Sequence, residues 1–247
     1  VTHRVWPGLV GPAPEPAIDR TALRLPTSQY IPQTCEKQTI VLHHTVGGSA
    51  RSTYRWWTID RKVGALPGDQ LRVGTAYLVE RDGTIYETFP PECWAFHVGL
   101  GDGPLERRTI GIELCSEGAL TRRGDELWGI GRSLGMVDKL FELGRVYRIP
   151  QGWRGFEWFD AYDEPQIDAT CRLVRWLCER FGIQAALPRA AEWLGPADRT
   201  RWAAFAGVVH HALLRPDKSD LHPGFPEWRL ARLLGAWPMP EASAHAR

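Results

Sequence analysis

Charge of one sign is not in excess in this chain. Thirty Lys and Arg against 29 Asp and Glu leave a formal net charge of +1 over 247 residues. Basic residues are scattered, with no long Lys/Arg tract, so no nucleic-acid partner is expected and no global field draws the chain to anionic lipid. Long apolar runs are missing too. Nothing approaches the roughly 20 residues of a membrane span, so no span is expected. Val1 to Ile18 lacks a basic start followed by an apolar stretch, so no signal peptide is expected. Since the chain opens on Val, export stays open. Cysteine is sparse: five residues, an odd number with no CxxC, so neither a disulfide framework nor a Cys-rich zinc module is indicated. Cys171 and Cys178 lie in a predicted helix, on one face but two turns apart. That is too far to bond to each other, and they read as buried thiols.

What is present suits one globular domain with a sizeable core. Residues 1 to 37 are rich in proline and read as an extended arm. Thr39 to His44 is a short apolar, β-branched run, a buried strand. Ser52 to Ile59 reads as a helix. Thr75–Val79 and Thr84–Thr88 flank Arg81-Asp82-Gly83, a hairpin signal. Thr109–Cys115 is another strand. Pro165 to Phe181 is the clearest helix, with Ile167, Cys171, Val174, Cys178 and Phe181 in one apolar stripe and Gly182 at its end. Phe205–Leu213 reads as a last strand and Phe225–Leu234 as a closing helix. The fold class is therefore α/β, a single domain with a central mixed β-sheet flanked by helices.

Between these elements the stretch from 120 to 163 reads as an insertion, with a helix over Leu134–Leu143 and an aromatic loop over Gly152–Tyr162. The domain limits are an arm over 1–37, a main domain over 38–235 and a tail over 236–247. Twelve tryptophans are present, most expected in the core and a few in a groove for sugar or peptide. In the insertion, Trp153, Phe156, Trp158 and Tyr162 either pack that segment down or line such a groove. Oligomeric state leaves no trace in the sequence, and a monomer is the default.

Three pieces carry chemistry when taken together: Leu42-His43-His44-Thr45 at the end of a buried strand, Ile110-Gly111-Ile112-Glu113 with a carboxylate in an apolar strand, and Val209-His210-His211 followed by Lys218-Ser219-Asp220. Singly, each has a structural explanation, such as a hydrogen-bonded histidine or a solvated ion pair. Jointly, imidazoles and a carboxylate suit a divalent ion, and catalytic Zn²⁺ takes three protein ligands plus a water. A further carboxylate and an ammonium are what amide hydrolysis needs for proton transfer and oxyanion stabilisation.

The chain resembles the N-acetylmuramoyl-L-alanine amidase type 2 family, which includes phage lysozyme-like amidases and peptidoglycan recognition proteins. The resemblance rests on IVLHHTVGG (Ile40–Gly48), AYLVERDGTIYETFP (Ala76–Pro90), WAFHVG (Trp94–Gly99), TIGIELCSEG (Thr109–Gly118) and HHALLRPDKSDLHPGF (His210–Phe225). It implies a Zn²⁺ cofactor held by His43, His210 and Asp220, with Glu113 as general base and Lys218 as the second catalytic group. It also implies that His97 and Trp94 lie near the substrate, with His44 a neighbouring contact. If the strands are regular, His44 and His211 point away from the proposed ligands and orient them.

Two departures stand out. Thr75 occupies the place where lytic members carry a catalytic Tyr, which favours Glu113 as the base. Leu221 and His222 stand before Pro223-Gly224, making His222 a rival ligand. The implied function is zinc-dependent hydrolysis of the amide between N-acetylmuramic acid and L-alanine, in bacterial peptidoglycan or muropeptides, by a phage endolysin or an exported bacterial enzyme acting on the cell wall. The alternatives are a non-catalytic peptidoglycan-binding module and a zinc peptidase acting within the peptide stem.

Overall fold

The computed structural model describes residues 12–59, 72–100 and 103–236. The first part of the arm and nearly all of the tail lie outside the described residues. The strands are β1 (Ile18–Asp19), β2 (Thr39–His44), β3 (Tyr77–Val79), β4 (Ile85–Glu87), β5 (Thr109–Leu114), β6 (Ala119–Arg123), β7 (Glu126–Gly129), β8 (Arg132–Met136), β9 (Val146–Trp153), β10 (Phe156–Asp160) and β11 (Gly207–His210). The helices are α1 (Ala50–Thr58), α2 (Gly103–Arg108), α3 (Val137–Glu142), α4 (Glu164–Phe181), α5 (Ala190–Trp193), α6 (Arg199–Ala203), α7 (His211–Leu214) and α8 (Glu227–Leu234).

Six strands form a mixed sheet in the order β1-β4-β3-β5-β2-β11. β2 lies inside it, parallel to β5 on one side and β11 on the other, and every one of its six residues is buried. Covering on both faces is why it reads as an unbroken apolar run. Ile40 and Leu42 turn to the main core, which Ile167, Leu173, Val174 and Leu177 of α4 fill from one side. Val41 and Val209 turn to the opposite core, with Leu105, Trp202, Leu213 and Leu214. Each such fully buried side chain contributes roughly 1.5–3 kcal/mol from apolar burial. Pro165 sits in the first turn of α4, and Gly182 closes the helix in the left-handed conformation. Cys171 and Cys178 are buried free thiols. From the arm, Leu23, Leu25 and Tyr30 enter the main core, and β1 runs along the outer edge of β4.

Residues 119–160 depart from the sequence reading. They form a second sheet, antiparallel throughout, in the order β8-β7-β6-β10-β9. The helix expected over Leu134–Leu143 shrinks to α3, and the expected aromatic loop is largely strand. Register shifts between Leu127 and Trp128 and between Phe156 and Trp158 interrupt the two-residue alternation by which strands are recognised. The sheet closes over its own small core of Leu120, Leu127, Val137, Leu140, Val146 and Trp158. Trp158 packs in this core and Tyr162 in the main one, whereas Phe156 is exposed. The last strand also differs: β11 stops at His210, and His211 begins α7.

Candidate active site

Register decides which histidines meet. Val41 pairs with Val209 and Leu42 with His210. The position that continues the face of His43 is therefore 211, and His210 belongs to the face of Leu42. The structure accordingly brings together His43, His211 and Asp220, the group among the described residues that could hold a metal ion. His43 Nδ1 lies 3.0 Å from His211 Nδ1, His43 Nδ1 lies 3.2 Å from Asp220 Oδ2, and His211 Nδ1 lies 3.0 Å from the same oxygen. His210, expected as a ligand, stands apart from this group. Its ring packs on Trp193, Nε2 donates to the Trp193 carbonyl at 2.6 Å, and Nδ1 lies 3.1 Å from the backbone oxygen of Asp220. His222, the rival candidate, stands apart as well. It stacks on Tyr162, and its nitrogens are taken up by the Asp160 carbonyl and the Gly224 amide.

The surrounding hydrogen bonds determine where the imidazole protons sit. His211 Nε2 donates to the Val98 carbonyl at 2.9 Å, which leaves Nδ1 as a lone pair aimed at the cluster. On the other ring, His43 Nε2 donates to His97 Nδ1 at 2.9 Å. His97 Nε2 then donates to the Thr109 hydroxyl at 2.8 Å, and that hydroxyl donates to the Glu106 carbonyl at 3.1 Å. Followed in this sense, every donor meets an acceptor, and His43 Nδ1 is free of a proton. Burial, with His211 next in effect, pushes His43 down to about 4, so it is neutral near pH 7. Two imidazole lone pairs and a carboxylate oxygen thus converge with little to separate them but a cation. Their spacing is close to the roughly 3.3 Å edge of a tetrahedron with bonds of about 2 Å, so the residues present fit a zinc ion.

Glu113 is the Cα partner of His43 on β5, so the two side chains share a face. Its carboxyl is enclosed, with Oε2 buried and without a hydrogen-bond partner. Burial first, then Asp220, push it well above the usual carboxylate range, against the opposing pull of Lys218. Lys218 is half-buried, its Nζ 4.0 Å from Asp217 Oδ2. His43, His97, Glu113, His211, Lys218 and Asp220 all line one cleft of about 660 Å³.

The other expected site residues divide. His97 lines the cleft, but its ring nitrogens are engaged by His43 and Thr109, so it braces the first donor. Gly111 makes room for it, since a Cβ there would come within 2.6 Å of Thr75 Cγ2 and 3.0 Å of His97 Nδ1. His44 points to the opposite face as the alternation requires, 3.1 Å from the Tyr162 hydroxyl, and reaches the rim of the cleft. Trp94 does not line the cleft. It is buried, bonds Gln33 through Nε1 and bridges Ile31 of the arm. Thr75 is buried and donates to the Tyr77 carbonyl. Glu106 was not legible in the sequence. Its buried carboxylate accepts the backbone N–H groups of His97, Val98 and Gly99 at 3.0–3.2 Å, and so holds the turn that supplies both His97 and the Val98 carbonyl.

Among solved structures, the endolysin amidase LysCS from Clostridium intestinale URNW aligns at 14% identity over 91% of this chain and 99% of its own, with a TM-score of 0.47. AmiD from E. coli, described in complex with the substrate anhydro-N-acetylmuramic acid-L-Ala-D-gamma-Glu-L-Lys, aligns at 20% identity with a TM-score of 0.50. That alignment covers 86% of this chain and 62% of AmiD's. At 20% identity the likeness to AmiD is one of fold. No curated protein sequence matches the chain. The family model for N-acetylmuramoyl-L-alanine amidase matches residues 34–223, a span that runs from before His43 to beyond Asp220 and takes in both walls of the cleft, and the chain belongs to that amidase family.

Proposed function

We propose that the chain is a zinc-dependent hydrolase of the amide between N-acetylmuramic acid and L-alanine, acting on peptidoglycan or soluble muropeptides. The observation that carries this reading is the convergence of His43 Nδ1, His211 Nδ1 and Asp220 Oδ2 beside the unpartnered carboxyl oxygen of Glu113. The substrate described for AmiD supports the same substrate class here.

His43, His211 and Asp220 would hold the ion. When bound, zinc supplies Lewis acidity toward a carbonyl oxygen and toward water. The chain's own groups supply the rest. Glu113 takes a proton from the attacking water and returns it to the departing amine, a role suited to a carboxylate whose desolvation favours the protonated form. Lys218 offers its ammonium to the oxygen that becomes negative in the tetrahedral intermediate. Glu106, Thr109 and His97 keep the donor nitrogens oriented.

Mass spectrometry of products from purified peptidoglycan tests the reading. The expected product is a stem peptide with a free L-alanine amino group, lost with a chelator and restored by zinc. Cleavage inside the stem would make the protein a peptidase, and binding without products would leave a recognition module. His97→Ala tests the brace. Zinc affinity is expected to fall about 10- to 100-fold, read by competition with a chromogenic chelator, with the stoichiometry at saturating zinc still about one per chain. Unchanged affinity would leave His97 without a positioning role.

A further inference from the structure

The second sheet forms a wall of another cleft. Strands β6, β7 and β10 face the 216–219 loop across a space of about 450 Å³, which shares His44, Val46, Ile130 and Lys218 with the catalytic cleft and so continues it. Its charges are unbalanced. The two carboxylates on its lining are already engaged: Glu117 is paired with Arg132, and Asp217 with Arg215 at 2.9 and 2.7 Å. Arg123 and Arg154 have no carboxylate within 4.0 Å among the described residues. Arg154 is fixed by donating to the carbonyls of Gly195 and Ala212 at 3.0 and 2.9 Å. Arg123 lies over the Trp128 ring, its guanidinium carbon 4.7 Å from the centroid. Trp128 and the exposed Phe156 add flat apolar faces. Guanidinium groups without acidic partners, beside aromatic planes, suit a ligand that carries carboxylates on a short chain.

We propose that this cleft is a subsite for the free carboxylates of the peptide stem, with Arg123 and Arg154 as its recognition residues. The inference rests on the amidase reading for the direction in which the stem leaves the catalytic cleft. A γ-linked glutamyl residue keeps its α-carboxylate free, and the end of the stem carries another, so a stem is anionic where it would meet the two arginines.

The test is a binding measurement on the zinc-loaded full chain. The probes are the tripeptide L-Ala-D-γ-Glu-L-Lys and the same peptide with both carboxylates amidated, neither of which holds the muramoyl amide. The acidic peptide is expected to bind about tenfold more tightly at low salt, the advantage shrinking as salt rises. Arg123→Glu is expected to erase the preference without moving the melting temperature, because Arg123 is exposed and has no ion-pair partner. Arg123→Gln is expected to halve it or more. Equal affinities in the parent chain overturn the proposal. So does a preference that survives Arg123→Glu, which would assign the carboxylate to the metal. Muropeptide hydrolysis is scored separately. Charge-dependent binding without hydrolysis keeps the subsite and removes the amidase, whereas hydrolysis with equal tripeptide affinities does the reverse.

Discussion

Glu113→Gln is expected to keep the fold and about one zinc per chain, yet to lose at least about 10²-fold in kcat, within the range general-base catalysis supplies. The substitution is nearly isosteric. The carboxyl makes no hydrogen bond through Oε2, so no folded-state partner is lost. It also removes an ionisable group that burial and Asp220 disfavour in its charged form, so the melting temperature should hold or rise. What disappears is, among the described residues, the one enclosed carboxylate that lines the cleft without being part of the cluster. Steady-state hydrolysis of a muropeptide, with metal content measured on the same preparation, gives the answer. Near-normal turnover in zinc-loaded Glu113→Gln would move the base elsewhere. His97 is then a weak successor, since both its ring nitrogens are occupied.

The second large effect separates two adjacent histidines. His211→Ala is expected to reduce bound zinc from about one per chain to a small fraction of that, because catalytic zinc sites keep three protein ligands and two do not hold the ion against a chelator. His210→Gln is expected to keep the zinc and to cost about 1–3 kcal/mol of stability, the usual effect of disturbing a buried hydrogen bond. Its ring is enclosed between Trp193 and the Asp220 backbone. Metal analysis after dialysis and denaturant unfolding of both variants provide the comparison. Full zinc in His211→Ala together with loss in His210→Gln would restore the pairing expected from sequence and contradict the strand register.

That pairing shows where sequence reasoning reached its limit. The strand Thr39–His44, the Asp-Gly hairpin and the long helix were legible because their signals are local: β-branched runs, turn residues, a 3.6-residue stripe. His43 and Asp220 were legible as neighbours in one cluster, and the alternation placed His44 on the opposite face. Which of His210 and His211 stands beside His43 depends on how β11 slides against β2, a contact across more than 160 residues. A one-residue slip exchanges the two faces. Nothing local to His210-His211 encodes that slip, and the strand–helix junction between them is equally silent. The 119–160 sheet escaped for a different reason: two register shifts break the alternation by which its strands would be recognised. Trp94 was drawn toward the site by the company it keeps in sequence, although its side chain faces the arm. The Glu106 clamp is made of backbone amides, which leave no pattern in the order of side chains.

His43 and Glu113 occupy one rung of adjacent parallel strands, and His211 begins the helix that directly continues the next strand over. The two proposed histidine donors therefore lie in or directly beside the central sheet, while Asp220 comes from the loop that follows α7. Amide exchange along β2 should be limited by whole-molecule opening, not by local fluctuation. Because an ion held by these groups has no equivalent site in the open chain, its binding free energy adds directly to folding. Added zinc is therefore expected to raise the melting temperature and a chelator to lower it, which a thermal melt of each preparation reads.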